Sequence, residues 1–267
     1  YHAISTQAPD DLARELSISE DKAELLLPTA MIYHNIFEET DAEFMWLSGI
    51  TICDGMAADF AECKEHIVPA HPFSDDIISV SRKLAERFCC DTEHIHQVEI
   101  AALKLFDALR KANHLTKKDR LLLQIAAILH NCGSFLNLND IGENSYKIVT
   151  STEIIGLSHQ ERMIVAYVIR YTTGDFPEYS EIKNEFSREE YIKIAKLNAI
   201  LCLADAMDRS HQQKFTNFTV RKRGYDLTIT GQTLYDITLE HGMFIQKSPF
   251  FEEAFGIRPV LRQKKCL

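Results

Sequence analysis

Hydrophobic and polar positions separate most clearly between Leu121 and Leu136. An apolar run, broken only at Gln124, ends abruptly in His130-Asn131, with Gly133 two residues on. Thr116-x-x-Asp119 is an N-cap signal and Gly133 a natural terminator, so the pattern predicts a helix over 116–131. Its apolar residues cover nearly every side. Such a helix is buried, and it presents a His and an amide at its C-terminal end. Upstream, Ile95, Val98, Ala102, Leu105, Phe106 and Leu109 recur at helical spacing and predict a helix over 91–113. A further helix is expected over 75–88, and a short one near 145–151. Ser158-x-x-Glu161 and Ser187-x-x-Glu190 are capping boxes that open helices expected to reach about Thr172 and His211.

The two ends read differently. Residues 10–17 and 19–39 predict helices, 42–50 a buried strand, and 53–63 another helix. A single strand cannot satisfy its own backbone groups. Either a partner chain completes a sheet, or the chain is a fragment cut inside an α/β domain; Tyr1 in place of an initiating Met fits the second. Two prolines mark residues 69–75 as a linker. At the other end, 218–221, 225–229, 236–239 and 257–261 have strand composition. Ser248, Pro249 and Gly256 bracket a short helix over 248–256 as N-cap, first residue and C-terminal stop. The expected architecture is mainly α: an N-terminal α/β piece over 1–68, a helical body over 69–213, and a small α+β cap over 214–267.

Composition narrows the function. The 267 residues carry a formal charge of −10, which excludes nucleic acid and anionic membranes as principal partners. No apolar run reaches the ~20 residues of a membrane span, and residues 1–10 do not read as a signal peptide. Seven cysteines, an odd number without metal spacing, read as reduced thiols of a cytoplasmic protein. Lys117-Lys118, Arg221-Lys222-Arg223 and the basic residues of 258–265 read as solvated surface. A polyanion channel requires several of them on one face.

Four chemically capable residues follow in order on three predicted helices: His94, His130-Asn131, and Asp205 within Leu203-Ala204-Asp205-Ala206-Met207-Asp208-Arg209-Ser210-His211. His, His-Asp, Asp is the metal-ligand order of the HD superfamily, where imidazoles and carboxylates hold an ion that activates water. Here the paired Asp is Asn131, a neutral amide. His96 lies on another side of its helix from His94 and is expected to face solvent. His211 is expected to end a helix. Phe250, Phe251 and Phe255 are expected in the core.

The chain resembles the exopolyphosphatase/guanosine pentaphosphate phosphohydrolase (Ppx/GppA) family over nearly its whole length. The resemblance rests on residues 93–98 with 105–109, on Ile128-Leu129-His130-Asn131-Cys132-Gly133, on Val168-Ile169-Arg170-Tyr171, on 203–211, and on 250–256 with Val260-Leu261. Ser48-Gly49-Ile50 with Asp54-Gly55 is similar to the end of the family's second actin-like (ASKHA) domain. The resemblance implies an HD-like helical bundle, with residues 1–68 as the remnant of that ASKHA domain. It also implies a parent that hydrolyses polyphosphate or pppGpp with Mg, and a homodimer. Catalytic residues are expected outside this chain.

The departures matter as much. Gly142-Glu143-Asn144-Ser145 stands where many members have His-x-His-Ser, and Arg170-Tyr171-Thr172 where they have Arg-Tyr-His. With Asn131, these leave His94, His130 and Asp205 as a degenerate site, expected to hold no metal and to need no cofactor. Arg170 and Arg209 are the candidate phosphate contacts. The alternative reading is an active HD-type metal phosphohydrolase acting on a nucleotide.

Overall fold

The computed structural model describes residues 2–40, 42–45, 49, 51–63, 73–113, 115–215 and 217–264. The chain divides into two compact units, residues 1–69 and 70–267.

The first unit contains α1 (His2–Ser5), α2 (Pro9–Leu16), α3 (Glu20–Glu38) and α4 (Ile52–Cys63). Pro9 opens α2, where a missing N–H costs nothing. Leu12 and Ala13 of α2 are buried with Ala23 of α3 in a small core. The helices expected here are present to within a residue or two. The strand expected over 42–50 is not found where the chain is described. Residues 42–45 are exposed and irregular, and Gly49 is also irregular; 41, 46–48 and 50 lie outside the described residues. An exposed segment satisfies its backbone groups with water, which an unpaired buried strand cannot do. The linker expected over 69–75 lies outside the described residues as far as 72, and the chain is helical from Phe73.

The second unit is built on α5 (Phe73–Arg87), α6 (Thr92–Asn113), α7 (Lys117–Leu129), a 3₁₀ turn (Cys132–Phe135), α8 (Ile141–Ser151), α9 (His159–Arg170), α10 (Tyr179–Ile182) and α11 (Arg188–Ala206). The α7 helix is buried from Leu122 to Leu129 except at Gln124, packing against α5, α6, α9 and α11. Its N-terminus is a capping box. The Asp119 N–H donates to Thr116 Oγ1 at 3.1 Å and the Thr116 N–H to Asp119 Oδ2 at 2.8 Å. Ser158 with Glu161 and Ser187 with Glu190 cap α9 and α11 in the same way. The fold is mainly α.

The C-terminal elements are β1 (Asn217–Arg223), β2 (Asp226–Gln232), α12 (Thr238–Phe255) and β3 (Arg258–Lys264). β1 and β2 form an antiparallel hairpin, and β3 returns through α12 to lie parallel to β2. Phe218, Leu227, Ile229 and Leu261 bury one face of this sheet in the core shared with the bundle.

Three expectations change. No strand forms over 236–239, because the Asp236 carboxylate accepts the Thr238 N–H at 3.0 Å in a tight turn, and α12 begins at Thr238. The short helix expected over 248–256 is the second half of α12, which runs through Pro249 and stops at Gly256 (φ 63°). The helix expected to reach His211 ends at Ala206, and a tight turn follows in which His211 has φ 55°.

Candidate functional site

The ends of α6, α7 and α11 converge on one buried polar cluster. Asp91 caps α6 by accepting the His94 N–H at 3.2 Å, which fixes His94 in the first turn. His130 is the C-cap of α7 and Asp205 sits in the last turn of α11. His94 Nε2 lies 3.2 Å from His130 Nε2 and 3.4 Å from Asp205 Oδ1; His130 Nε2 is 3.6 Å from the same oxygen. His94 is 1% exposed and His130 4%.

The other ring nitrogens are held from behind. His94 Nδ1–H donates to Asp208 Oδ2 at 2.9 Å, and His130 Nδ1–H donates to the Ala127 carbonyl at 2.8 Å. Asp208 is itself fixed by Gln213, whose N–H reaches Oδ1 at 2.7 Å and whose amide reaches Oδ2 at 3.1 Å. The His211 ring stacks on His94 with centroids 3.6 Å apart, while its Nδ1 meets Asp91 at 3.0 Å. Burial works against a charged His94, but hydrogen bonds to Asp205 and Asp208 and their charges outweigh it and raise its pKa to about 9. Burial likewise opposes charge on Asp205, yet the hydrogen bonds from His130 and His94 hold it well below the usual carboxylate range.

His94, His130 and Asp205, assembled in chain order from the sequence, thus meet in space. Asp91, Asp208, His211 and Gln213 complete the cluster and were not singled out as site residues. Asp208 and His211 lie inside the 203–211 segment, six residues or fewer from Asp205. The positive φ that lets His211 fold back onto His94 leaves no trace in residue spacing. His96 is exposed, as expected.

Two of the positions that depart from the resembled pattern, Gly142 and Thr172, are closely packed. A Cβ on Gly142 would lie 2.4 Å from the Arg170 carbonyl oxygen, so no larger side chain fits. Gly133 does not terminate α7 through a positive φ. A Cβ there would fall 2.2 Å from the Ile141 carbonyl oxygen, so close approach of the turn to α8 requires glycine. Ser145 joins the two: its hydroxyl accepts the Gly133 N–H at 2.7 Å and donates to the His130 carbonyl at 2.9 Å. Thr172 is buried with its hydroxyl on the Ile169 carbonyl at 2.8 Å.

Arg170 and Arg209 are both engaged. Arg170 Nε donates to Glu143 at 2.7 Å and its guanidinium lies 4.5 Å from the Tyr146 ring centroid. Arg209 Nη1 is 3.6 Å from Asp205 Oδ2, which joins it to the cluster.

Residues 78–246 match the family model for Ppx/GppA phosphatase, domain III. This segment covers most of the chain and every residue of the cluster. The chain belongs to the Ppx/GppA phosphatase family. No curated protein matches it. Within this Ppx/GppA domain, three ligand-type atoms 3.2–3.6 Å apart have the spacing of donors around one ion, since ligands at ~2.1 Å in a tetrahedron stand about 3.4 Å apart. Both imidazoles also have the acceptor behind Nδ1 that metal-bound histidines use. The cluster therefore has two chemical options. It closes on itself through the His94 imidazolium, or it loses that proton and binds a cation.

Proposed function

We propose that this chain is a non-catalytic, phosphate-polymer-holding region of a Ppx/GppA-type phosphohydrolase, whose substrate is polyphosphate or pppGpp. Phosphoanhydride hydrolysis belongs to the parent's ASKHA-type catalytic domains, with Mg as its ion. The observation that carries this reading is the outer face of the three-stranded sheet. Alternation along the strands puts Arg221 and Arg223 of β1 and Arg262 and Lys264 of β3 on that face, all exposed. Among the described residues none of the four is paired with a carboxylate, whereas Arg258 on the same face is paired with Asp226 at 3.1 Å.

Thr228, Thr230 and Gln232 of β2 run between the two cationic edges, which stand about 10 Å apart across two strand spacings. Asn217, Phe218, Thr219, Arg221, Thr230, Gln232 and Lys264 line a groove of about 500 Å³, with the Phe218 ring turned into the core. A polar floor between cationic walls, on a chain of net charge −10, suits a narrow polyanion. The outward strand positions carry no aromatic ring, which single-stranded nucleic acid sites use as stacking platforms.

The test is fluorescence anisotropy with end-labelled polyphosphate. Replacing Arg221, Arg223, Arg262 and Lys264 by Gln should weaken binding roughly 30-fold, from four exposed contacts of about 0.5 kcal/mol each. Lys117→Gln, an exposed cation elsewhere, should leave it unchanged. Equal loss in both would remove the sheet face from the reading. Phosphate release by the chain alone from polyphosphate or pppGpp, at a turnover near ~1 per second, would overturn the non-catalytic role. The reading includes a cytoplasmic homodimer. Light scattering that finds only monomer at high concentration would remove the dimer.

The spacing of His94, His130 and Asp205 favours a second reading, a metal-dependent HD phosphohydrolase acting on a nucleotide. Elemental analysis of untreated protein separates the two. About one equivalent of Fe, Mn or Zn, lost in His130→Ala, supports the second reading.

A further inference from the structure

The Cys90 and Cys132 sulfurs lie 3.4 Å apart although the residues are 42 positions apart in the chain. Both side chains are buried; Cys90 is 8% exposed and Cys132 0%. Neither belongs to the polar cluster, yet each sits on a turn that carries part of it. Cys90 follows α5 through a left-handed turn. Cys89 has φ 51°, its N–H bonds to the Glu86 carbonyl at 2.9 Å, and the Cys90 N–H bonds to Ala85 at 3.1 Å. This Schellman arrangement fixes the direction of Cys90, and Asp91 and α6 follow directly. Cys132 opens the 3₁₀ turn just after His130-Asn131, and Gly133 behind it is locked to Ser145. The two turns are also packed through Phe88 and Phe135, whose ring centroids are 5.7 Å apart.

We propose that Cys90 and Cys132 are an oxidisable dithiol, a modification site at which a peroxide forms a disulfide. The bond ties the turn bearing Asp91 and His94 to the turn bearing His130 and Asn131. A sulfur–sulfur bond of about 2.05 Å requires the sulfurs to approach by about 1.4 Å. The more accessible Cys90 reacts first. Its thiolate attacks one peroxide oxygen, the O–O bond breaks, and Cys90 becomes a sulfenic acid as water leaves. The Cys132 thiol then attacks the Cys90 sulfur. The S–O bond breaks, and the oxygen leaves as a second water with the Cys132 proton. Two thiols and one hydrogen peroxide give one disulfide and two waters. The S–H···S contact supports this order, because it holds the Cys90 thiol below its usual range despite burial, while the same contact and burial hold the Cys132 thiol above its own. Disulfides of this kind in reducing compartments are transient and redox-sensing rather than structural.

The experiment treats the full chain with hydrogen peroxide, blocks remaining thiols by alkylation, and maps the peptides by mass spectrometry. A Cys90–Cys132 cross-linked peptide, lighter by two hydrogens and split by dithiothreitol, is the expected product. Cys89→Ser should still form it, while Cys90→Ser and Cys132→Ser should not. Closing a loop of this length should raise the unfolding midpoint by about 10 °C, and the ring-proton NMR signals of His94 and His130 should shift on oxidation. Should Cys132→Ser fail to fold, Cys132→Ala and reversal of the wild-type cross-link by reductant decide the same question. A disulfide through exposed Cys89 or Cys53 instead, or Cys90 ending as sulfinic acid with Cys132 untouched, would overturn the assignment.

Discussion

Ser145→Ala should destabilise the helical unit by about 3 kcal/mol. The Ser145 side chain is fully buried and makes two hydrogen bonds, accepting from the Gly133 N–H at 2.7 Å and donating to the His130 carbonyl at 2.9 Å. The alanine methyl fits the space but serves neither partner. Gly133 is buried against α8, so its N–H has no replacement acceptor without backbone movement. Leaving a buried donor or acceptor unsatisfied costs about 1–3 kcal/mol, and two such groups place the loss near ~3. For a unit of this size that corresponds to roughly 6–12 °C in Tm, or about 1 M in urea midpoint at a typical slope. Urea denaturation followed by circular dichroism measures it, with Ser151→Ala on the exposed side of α8 as control, expected within ~0.5 kcal/mol of wild type. The His130 ring-proton signals should move in Ser145→Ala and stay in Ser151→Ala. A loss below ~0.5 kcal/mol with an unchanged His130 spectrum would show that Ser145 does not hold the α7 terminus.

Two further outcomes follow from single residues. Cys89 occupies a left-handed position (φ 51°) that favours glycine, so Cys89→Gly should stabilise the fold by about 1 kcal/mol; a lower Tm would contradict the strain. Burial pushes the Cys202 thiol up to about 12 from an ordinary 9.0, with Lys247 opposing and Asp205 adding. The folded value lies above the unfolded one, so the stability is full below pH 9 and is lost as pH rises towards 12. Near pH ~10.5 wild type should have lost about 2 kcal/mol that Cys202→Ala retains. Equal alkaline loss in both proteins would refute the burial effect.

The helical body was legible because its signals are local. Capping boxes at Thr116, Ser158 and Ser187 mark helix starts, and the apolar run 121–129 marks the most buried helix. The approach of His94, His130 and Asp205 was legible only as an order of residue types, through a resemblance. Three features were hidden. The turn that Asp236 forms with Thr238 just before α12 competes with strand-like composition. The return of His211 onto His94 depends on one positive φ. The convergence of Arg221, Arg223, Arg262 and Lys264 depends on β3 pairing parallel to β2 after a helical crossover, which no stretch of either strand announces. Gly133 shows the converse: a glycine stands out in the sequence, but its reason is contact with α8 rather than helix termination.

Charge balance lets the cluster stand without a metal. The His94 imidazolium and the Arg209 guanidinium face the Asp205 and Asp208 carboxylates, so these four groups balance without an added ion, and the Asp91 carboxylate beside them is met by His211 at 3.0 Å. A carboxylate at position 131 would add a negative charge that calls for a cation. The proton on His94 is also a barrier to metal. With a pKa of about 9, a metal binding through Nε2 at pH 7 must displace it, which weakens apparent affinity roughly 100-fold, or about 2.7 kcal/mol. Asn131→Asp should therefore lower the stability of the metal-free protein and tighten Zn or Mn binding by at least ~10-fold, from the charge it adds next to His130 in the chain. In wild type, any affinity for Zn should rise nearly tenfold per pH unit between about 7 and 9 as the competing proton leaves. Calorimetric titration of chelator-treated protein at several pH values measures both. Tight wild-type binding at pH 7 with no pH dependence would mean that His94 carries no proton and that the cluster is built around an ion.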